Sequence, residues 1–107
     1  MKLIITIVSR DDSAQVIREL VSHKYFVTKL ASSGGFLRSG NTTLMIGTED
    51  DKVNEAIDLI TKYSKSRREF VPSSIVSEFG MITAAPIEVN VGGATLFVVD
   101  VEKFLKV

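Results

Sequence analysis

A glycine-rich loop contains the residues most suited to binding a ligand. Residues 28–43 read TKLASSGGFLRSGNTT, so that small and hydroxyl-bearing residues surround the apolar pair Phe36-Leu37. Glycine lets backbone N–H groups approach a ligand closely, while serine, threonine and asparagine add hydrogen bonds without net charge. This chemistry suits a phosphate or a nucleobase, although glycine and serine are also common in ordinary hairpin loops. Exposing Phe36 or Leu37 costs about 1.5 to 3 kcal/mol each, so we expect the loop to pack against a neighbouring surface.

The composition limits the classes of partner and chemistry. The chain has 107 residues, and we predict a single domain over 1–107. Lysine plus arginine number 13 and aspartate plus glutamate number 13, so no global positive field attracts nucleic acid or an anionic membrane. The absence of cysteine excludes disulfides, thiolate nucleophiles and cysteine metal sites. The apolar run of residues 3–8 is too short to span a membrane, and we expect a cytoplasmic protein.

Hydrophobic patterning predicts strands and helices in alternation. Residues 3–8 and 26–32 are strand-like, and residues 42–48 form a third strand after the glycine-rich loop. A first helix opens at Asp11, Asp12 and Ser13, which offer N-cap oxygens, and ends near His23. A lone histidine makes a poor metal site.

A second helix and a terminal hairpin complete the expected order. Glu49, Asp50 and Asp51 open the helix, whose apolar face has a 3.6-residue period, and the four cations at 62–68 are interpreted as its C-terminal end. Residues 86–91 and 96–101 are predicted to form a hairpin across Gly92-Gly93. Phe104 and Leu105 are expected to close the core.

These elements predict an α+β fold, a ferredoxin-like βαββαβ core with an additional C-terminal β-hairpin. Two helices pack on one face of a mixed, mostly antiparallel sheet. The strands have apolar residues on both faces, so the uncovered face is expected to be buried by oligomerisation.

Three segments together resemble a known family. They are residues 1–5 (MKLII), the loop 28–43 and residues 88–95 (EVNVGGAT), and they closely resemble the PII-like cyclic di-AMP receptors of the PstA or DarA type. The resemblance runs nearly end to end. It implies a PII-like, non-catalytic homotrimer with one cyclic dinucleotide in each cleft between neighbouring subunits, and no further cofactor or metal.

The resemblance also implies roles for individual residues. Thr28 would lie near a phosphate, and the backbone of Gly35, Phe36 and Leu37 would lie against the phosphodiester ring and an adenine. Asn41 would bind an adenine edge, because its amide offers a donor and an acceptor together. Backbone groups near Gly47 would add to this contact. Phe36, or Phe97 of the adjoining subunit, would stack on a base, which is worth about 1 to 3 kcal/mol.

This chain departs from the family pattern at three places. Phe26 stands where relatives have an arginine, and it cannot make a charge-assisted bond to phosphate. Lys106 corresponds to a glutamine that reaches the neighbour's ligand, and it would contribute positive charge. The second family loop, here residues 73–85, keeps Gly80 but lacks the aspartate and tyrosine of its relatives.

The leading interpretation is a signalling protein in which cyclic di-AMP reorders mobile loops and so changes the affinity for a protein partner. The alternative keeps the same trimer, which would sense a different adenine nucleotide or regulate a partner without cyclic di-AMP. A third hypothesis is a small α+β enzyme such as a dimeric barrel monooxygenase. The sequence argues against catalysis, because it has one histidine, no cysteine and no nucleophile–base pair at a recognisable spacing.

Overall fold

The computed structural model describes residues 1–30, 40–71 and 87–107. Its elements follow in chain order: β1 (Lys2–Ser9), α1 (Arg10–Ser22), β2 (Phe26–Leu30), β3 (Asn41–Thr48), a 3₁₀ turn (Asp50–Lys52), α2 (Val53–Tyr63), β4 (Arg67–Val71), β5 (Ile87–Val91) and β6 (Ala94–Asp100). Among these residues, no helix is long and apolar enough to cross a membrane.

The main sheet has four strands in the order β2-β3-β1-β6, and all its described pairings are antiparallel. Strand residues alternate between its two faces. In β1, Ile4, Thr6 and Val8 are buried, whereas Leu3, Ile5 and Ile7 are only half-buried. The buried set joins residues of α1 and α2 in a single core: Ile4, Val8, Val16, Leu20, Tyr25, Leu44, Ile46, Val53, Ala56 and Ile60. The helices therefore cover one face of the sheet, and among the described residues no second layer covers the other.

The predicted fold class is confirmed, but the hairpin is built from a different pair of strands. β5 pairs with β4 in a separate two-stranded sheet, and β6 pairs with β1 in the main sheet. The prediction that Gly92-Gly93 joins two paired strands is therefore wrong. Both glycines have positive φ, as expected of such a turn. Pairing with β1 instead lets the half-buried Leu96 extend the core.

Three further predictions about the ends of elements need correction. Ser9 is the N-cap of α1, and its hydroxyl accepts a hydrogen bond from the Asp11 N–H; the predicted N-cap residues, Asp11, Asp12 and Ser13, lie inside the helix. Arg67 and Arg68 belong to β4, not to the end of α2. Phe104 and Leu105 are 63% and 74% exposed and do not close the core. The Ser9 cap is a local contact, whereas the extent of β4 depends on its pairing with β5, which local periodicity does not report.

The end of α1 holds a lysine in a conformation that favours glycine. The Tyr25 N–H donates to the Leu20 carbonyl (3.0 Å) and the Lys24 N–H donates to the Val21 carbonyl (3.0 Å). This is the Schellman pattern of helix termination, whose left-handed position is usually glycine. Here Lys24 occupies it with φ of 72°.

Lys24→Gly should therefore raise the free energy of unfolding by about 1 kcal/mol, because glycine adopts positive φ without steric cost. Urea denaturation measures this change. The matched control is Arg18→Gly, an exposed cation inside α1, which should lower stability by about 1 kcal/mol. A Lys24→Gly protein that is less stable than the wild type would contradict the prediction.

Candidate ligand-binding site

The face of the main sheet opposite the helices, called here the open face, is largely apolar. The register places Thr28 beside Met45, Met45 beside Ile5, and Ile5 beside Phe97. The neighbouring rows are Phe26, Gly47, Leu3, Val99 and Leu30, Thr43, Ile7, Thr95. Several of its large side chains are exposed, including Phe26 (83%) and Phe97 (46%).

Five of the predicted site residues lie on strands of this face: Phe26, Thr28, Asn41, Gly47 and Phe97. They are not brought together within one protomer. Thr28 and Phe97 are three strand spacings apart, about 14 Å. Gly47 and Asn41 are six residues apart along β3, about 20 Å. A single protomer therefore cannot place all five against one purine.

The first group surrounds the start of β2. Phe26 lies opposite Gly47, and apart from the two chain neighbours no described residue would come within 4 Å of a Cβ atom added at Gly47. A cavity of about 190 Å³ beside this pair is lined by Met1, Lys24, Tyr25, Phe26, Gly47, Thr48, Glu49 and Lys52. The backbone of Gly47 therefore lies beside open space, and its role in ligand binding stays a prediction.

The amino terminus forms an ion pair at this end of the sheet. The Met1 amino group contacts the Asp50 carboxylate at 2.9 Å. The hydrogen bond from this amino group lowers the pKa of Asp50, and the same bond raises the pKa of the amino group. The buried Tyr25 hydroxyl donates to the Lys52 carbonyl at 2.8 Å, and burial raises the pKa of Tyr25. Tyr25 therefore fixes the start of β2 against the 3₁₀ turn.

The second group lies at the opposite end of the sheet, where the glycine-rich loop enters β3. Asn41 lines a cavity of about 270 Å³ together with Ile7, Val8 and residues 92–95. The Arg10 N–H donates to the Gly40 carbonyl at 2.7 Å, which fixes the residue that precedes β3. Asn41 therefore lines a cavity directly after a residue whose backbone is fixed to α1.

A match to a family model identifies the protein family of this chain. The model described as "Cyclic-di-AMP receptor" matches residues 1–107, the whole chain. The chain belongs to the cyclic-di-AMP receptor family. This family is a binding and signalling family, so the resemblance stated from the sequence is confirmed.

This receptor-family chain also resembles a solved structure over nearly its full length. The crystal structure of a functionally unknown protein from Pediococcus pentosaceus ATCC 25745 is 39% identical and superposes with a TM-score of 0.78. The match covers 99% of this chain and 96% of the other. The fold of the receptor chain is thus shared with an experimentally determined protein.

Several predicted residues of the receptor chain lie outside the described ranges. They are Gly35, Phe36 and Leu37 in the glycine-rich loop, and residues 73–85 with Gly80 in the second loop. Lys106 lies in the exposed segment after β6. Among the described residues, no three His, Cys, Asp or Glu side chains are grouped so as to hold a metal ion.

Sequence reasoning missed one feature beside the Asn41 cavity. Asp12 forms an ion pair with Arg67, 55 positions away along the chain. The sequence pattern was consistent with Asp12 as a helix-start charge and with Arg67 as a helix-end charge. No local spacing connects the two, so only the folded chain reveals the pair.

Proposed function

We propose that this chain is a non-catalytic signalling receptor that binds cyclic di-AMP in clefts between the subunits of a homotrimer and relays the signal through its loops to a protein partner. The observation that carries the proposal is the separation of the predicted ligand residues on the open face. They occupy three places about 14 to 20 Å apart. A second copy of the chain is the simplest source of the missing side of each cleft.

The apolar character of the open face supports assembly. Phe97 and Val99 on β6 are 46% and 45% exposed, and Phe26 and Leu30 on β2 are exposed at the other edge. Contiguous apolar patches of this kind are typical of interaction surfaces. In a cyclic trimer, different surfaces of neighbouring copies meet, so the β2 edge of one copy can approach the β6 edge of the next. Thr28 and Phe97 of adjacent copies would then contact one ligand.

Three of the predicted site residues have a defined chemical role in this proposal. The exposed hydroxyl of Thr28 donates to a phosphate oxygen. The Asn41 amide donates to and accepts from an adenine edge, a pairing worth about 1 to 3 kcal/mol. Phe97 stacks on a base. These groups are uncharged, so hydrogen-bond geometry and stacking determine the specificity.

The test of the proposed function is titration calorimetry with cyclic di-AMP, cyclic di-GMP and ATP, together with a mass measurement in solution. We expect a trimer that binds one cyclic di-AMP per subunit and discriminates against the guanine analogue, because guanine presents a different donor and acceptor pattern to Asn41. A monomeric protein, or one indifferent to cyclic di-AMP, would refute the proposal.

Asn41→Ala should weaken cyclic di-AMP binding by about five- to a hundredfold, since the amide contact is lost. Calorimetry measures the change. Asn54→Ala, an exposed asparagine on α2, is the matched control and should bind like the wild type. Equal affinities of the two variants would remove Asn41 from the site.

A second function is favoured by one observation. Phe26 supplies no charge to the cavity that it shares with Gly47, and none of the described residues that line this cavity is an arginine, so position 26 offers the phosphates of a cyclic dinucleotide no charge-assisted bond. The same trimer would then sense a different adenine nucleotide, or bind a protein partner without cyclic di-AMP. Tighter binding of ATP than of cyclic di-AMP in the titration above would support this alternative.

A further inference from the structure

An ion pair joins the first turn of α1 to the start of β4. Both terminal nitrogens of Arg67 donate to the Asp12 carboxylate, with distances of 3.1 Å from Nη1 to Oδ2 and 3.0 Å from Nη2 to Oδ1. Asp12 is only 8% exposed. A two-pronged contact between a planar guanidinium and a buried carboxylate fixes direction as well as distance. The pair therefore fixes the orientation of the start of β4 relative to α1.

The two-stranded sheet of β4 and β5, called here the arm, is anchored at both of its roots. Arg67 begins β4, and Gly92 follows the last residue of β5. A Cβ atom at Gly92 would lie 2.6 Å from the Lys65 carbonyl oxygen, 2.7 Å from Arg67 Nη1 and 3.3 Å from Asp12 Oδ2. The next residue, Gly93, donates its N–H to the Ser64 carbonyl. Glycine is required at 92 because the chain passes directly over the ion pair.

The same turn of α1 also fixes the end of the glycine-rich loop. The Arg10 N–H donates to the Gly40 carbonyl, and Ser9 lies opposite Asn41 in the sheet. Asn41, Gly92 and Gly93 line one cavity. The start of α1 thus connects, within four residues, the predicted adenine-binding residue and both roots of the arm.

We propose that Asp12 and Arg67 form an ionic latch that couples occupancy of the Asn41 cavity to the orientation of the arm. This inference rests on the proposed function for the identity of the ligand. A ligand that contacts Asn41 would displace the adjacent Gly40, which accepts the hydrogen bond from Arg10. It would also contact Gly92 and Gly93, which line the same cavity. Because these groups are joined to the Asp12–Arg67 pair, whose carboxylate is buried and whose guanidinium is partly exposed, a shift of any of them changes the geometry of the pair, and the arm responds as a unit. Asp12 and Arg67 are positioning residues that need not touch the ligand.

The experiment is amide hydrogen exchange of residues 67–71 and 87–91 with and without saturating cyclic di-AMP. In the wild type we expect ligand to change the exchange rates of these amides by about fivefold or more, the lower end of ordinary coupling between sites. Asp12→Asn keeps the shape of the side chain and removes its charge. We expect this variant to bind ligand, while the exchange rates of the arm amides change by less than about twofold.

Two further variants separate coupling from stability. Arg67→Lys retains the charge but cannot form the two-pronged contact with the carboxylate, and the ligand-induced change in amide exchange should be intermediate. This variant keeps the test valid should Asp12→Asn fail to fold. Asp58→Asn, an exposed carboxylate on α2, should respond like the wild type. A purely structural ion pair would lower the melting temperature of the Asp12 and Arg67 variants and leave the ligand response of the arm intact.

The outcomes distinguish the two proposals. A wild type that binds cyclic di-AMP without any change in the arm, or an Asp12→Asn variant with the full wild-type response, would overturn the latch and leave the proposed function standing. A wild type that does not bind cyclic di-AMP would overturn the proposed function, and the latch with it.

Discussion

Replacing Ile5 with lysine should leave the chain folded, convert the proposed trimer into monomers and abolish binding of cyclic di-AMP. Ile5 lies at the centre of the open face, between Met45 and Phe97 in the sheet register. In an isolated protomer, the long stem of a lysine can lie on this face while its ammonium group reaches water. In the trimer the same ammonium would be buried without a partner, at a cost of several kcal/mol per chain.

Sedimentation or light scattering measures the mass of the Ile5→Lys protein, and circular dichroism confirms that it is folded. Val21→Lys is the matched control, because Val21 is an exposed aliphatic residue on α1, away from the open face. The control should keep the wild-type mass and affinity. An Ile5→Lys protein with the wild-type mass would show that the open face is not the surface on which the subunits meet.

Phe26→Arg should tighten binding of cyclic di-AMP by about ten- to a hundredfold. Phe26 and Thr28 are two residues apart on the same face of β2, or about 7 Å, so an arginine at 26 can reach a phosphate held at Thr28. A hydrogen bond to a charged group contributes about 1.5 to 3 kcal/mol. The gain should shrink as the salt concentration rises, because exposed charges are screened.

Phe26→Met is the matched control for this gain. Methionine removes the ring and adds no charge, so it separates the loss of any stacking by Phe26 from the effect of a cation. Calorimetry at two salt concentrations should show tighter, salt-dependent binding for arginine alone. If the arginine and methionine variants bind equally well, the phosphates do not lie near the start of β2.

Some elements were predictable because their signal is local. The period of residues 53–63 predicted α2, and Val53, Ala56 and Ile60 are indeed buried. The apolar runs predicted β1 and β3, and the chain alone also revealed the family through its glycine-rich loop and the segment at 88–95. Such features depend on residues within a few positions of one another, so backbone preference and side-chain alternation suffice to specify them.

Other features were decided by tertiary structure. The sequence contains a Gly92-Gly93 turn, but whether β6 returns to β5 or continues to β1 depends on which pairing buries more apolar surface. The Asp12–Arg67 pair joins residues 55 positions apart, and no local pattern encodes it.

The arrangement of the predicted ligand residues also came from the fold alone. The amino-acid sequence shows which residues have polar side chains, which are glycines and which runs are apolar enough to form strands. Only the register of the sheet places Thr28 and Phe97 on one face at opposite edges. The physical reason is that side-chain chemistry is a property of each residue, whereas proximity between distant residues is a property of how strands pair and pack.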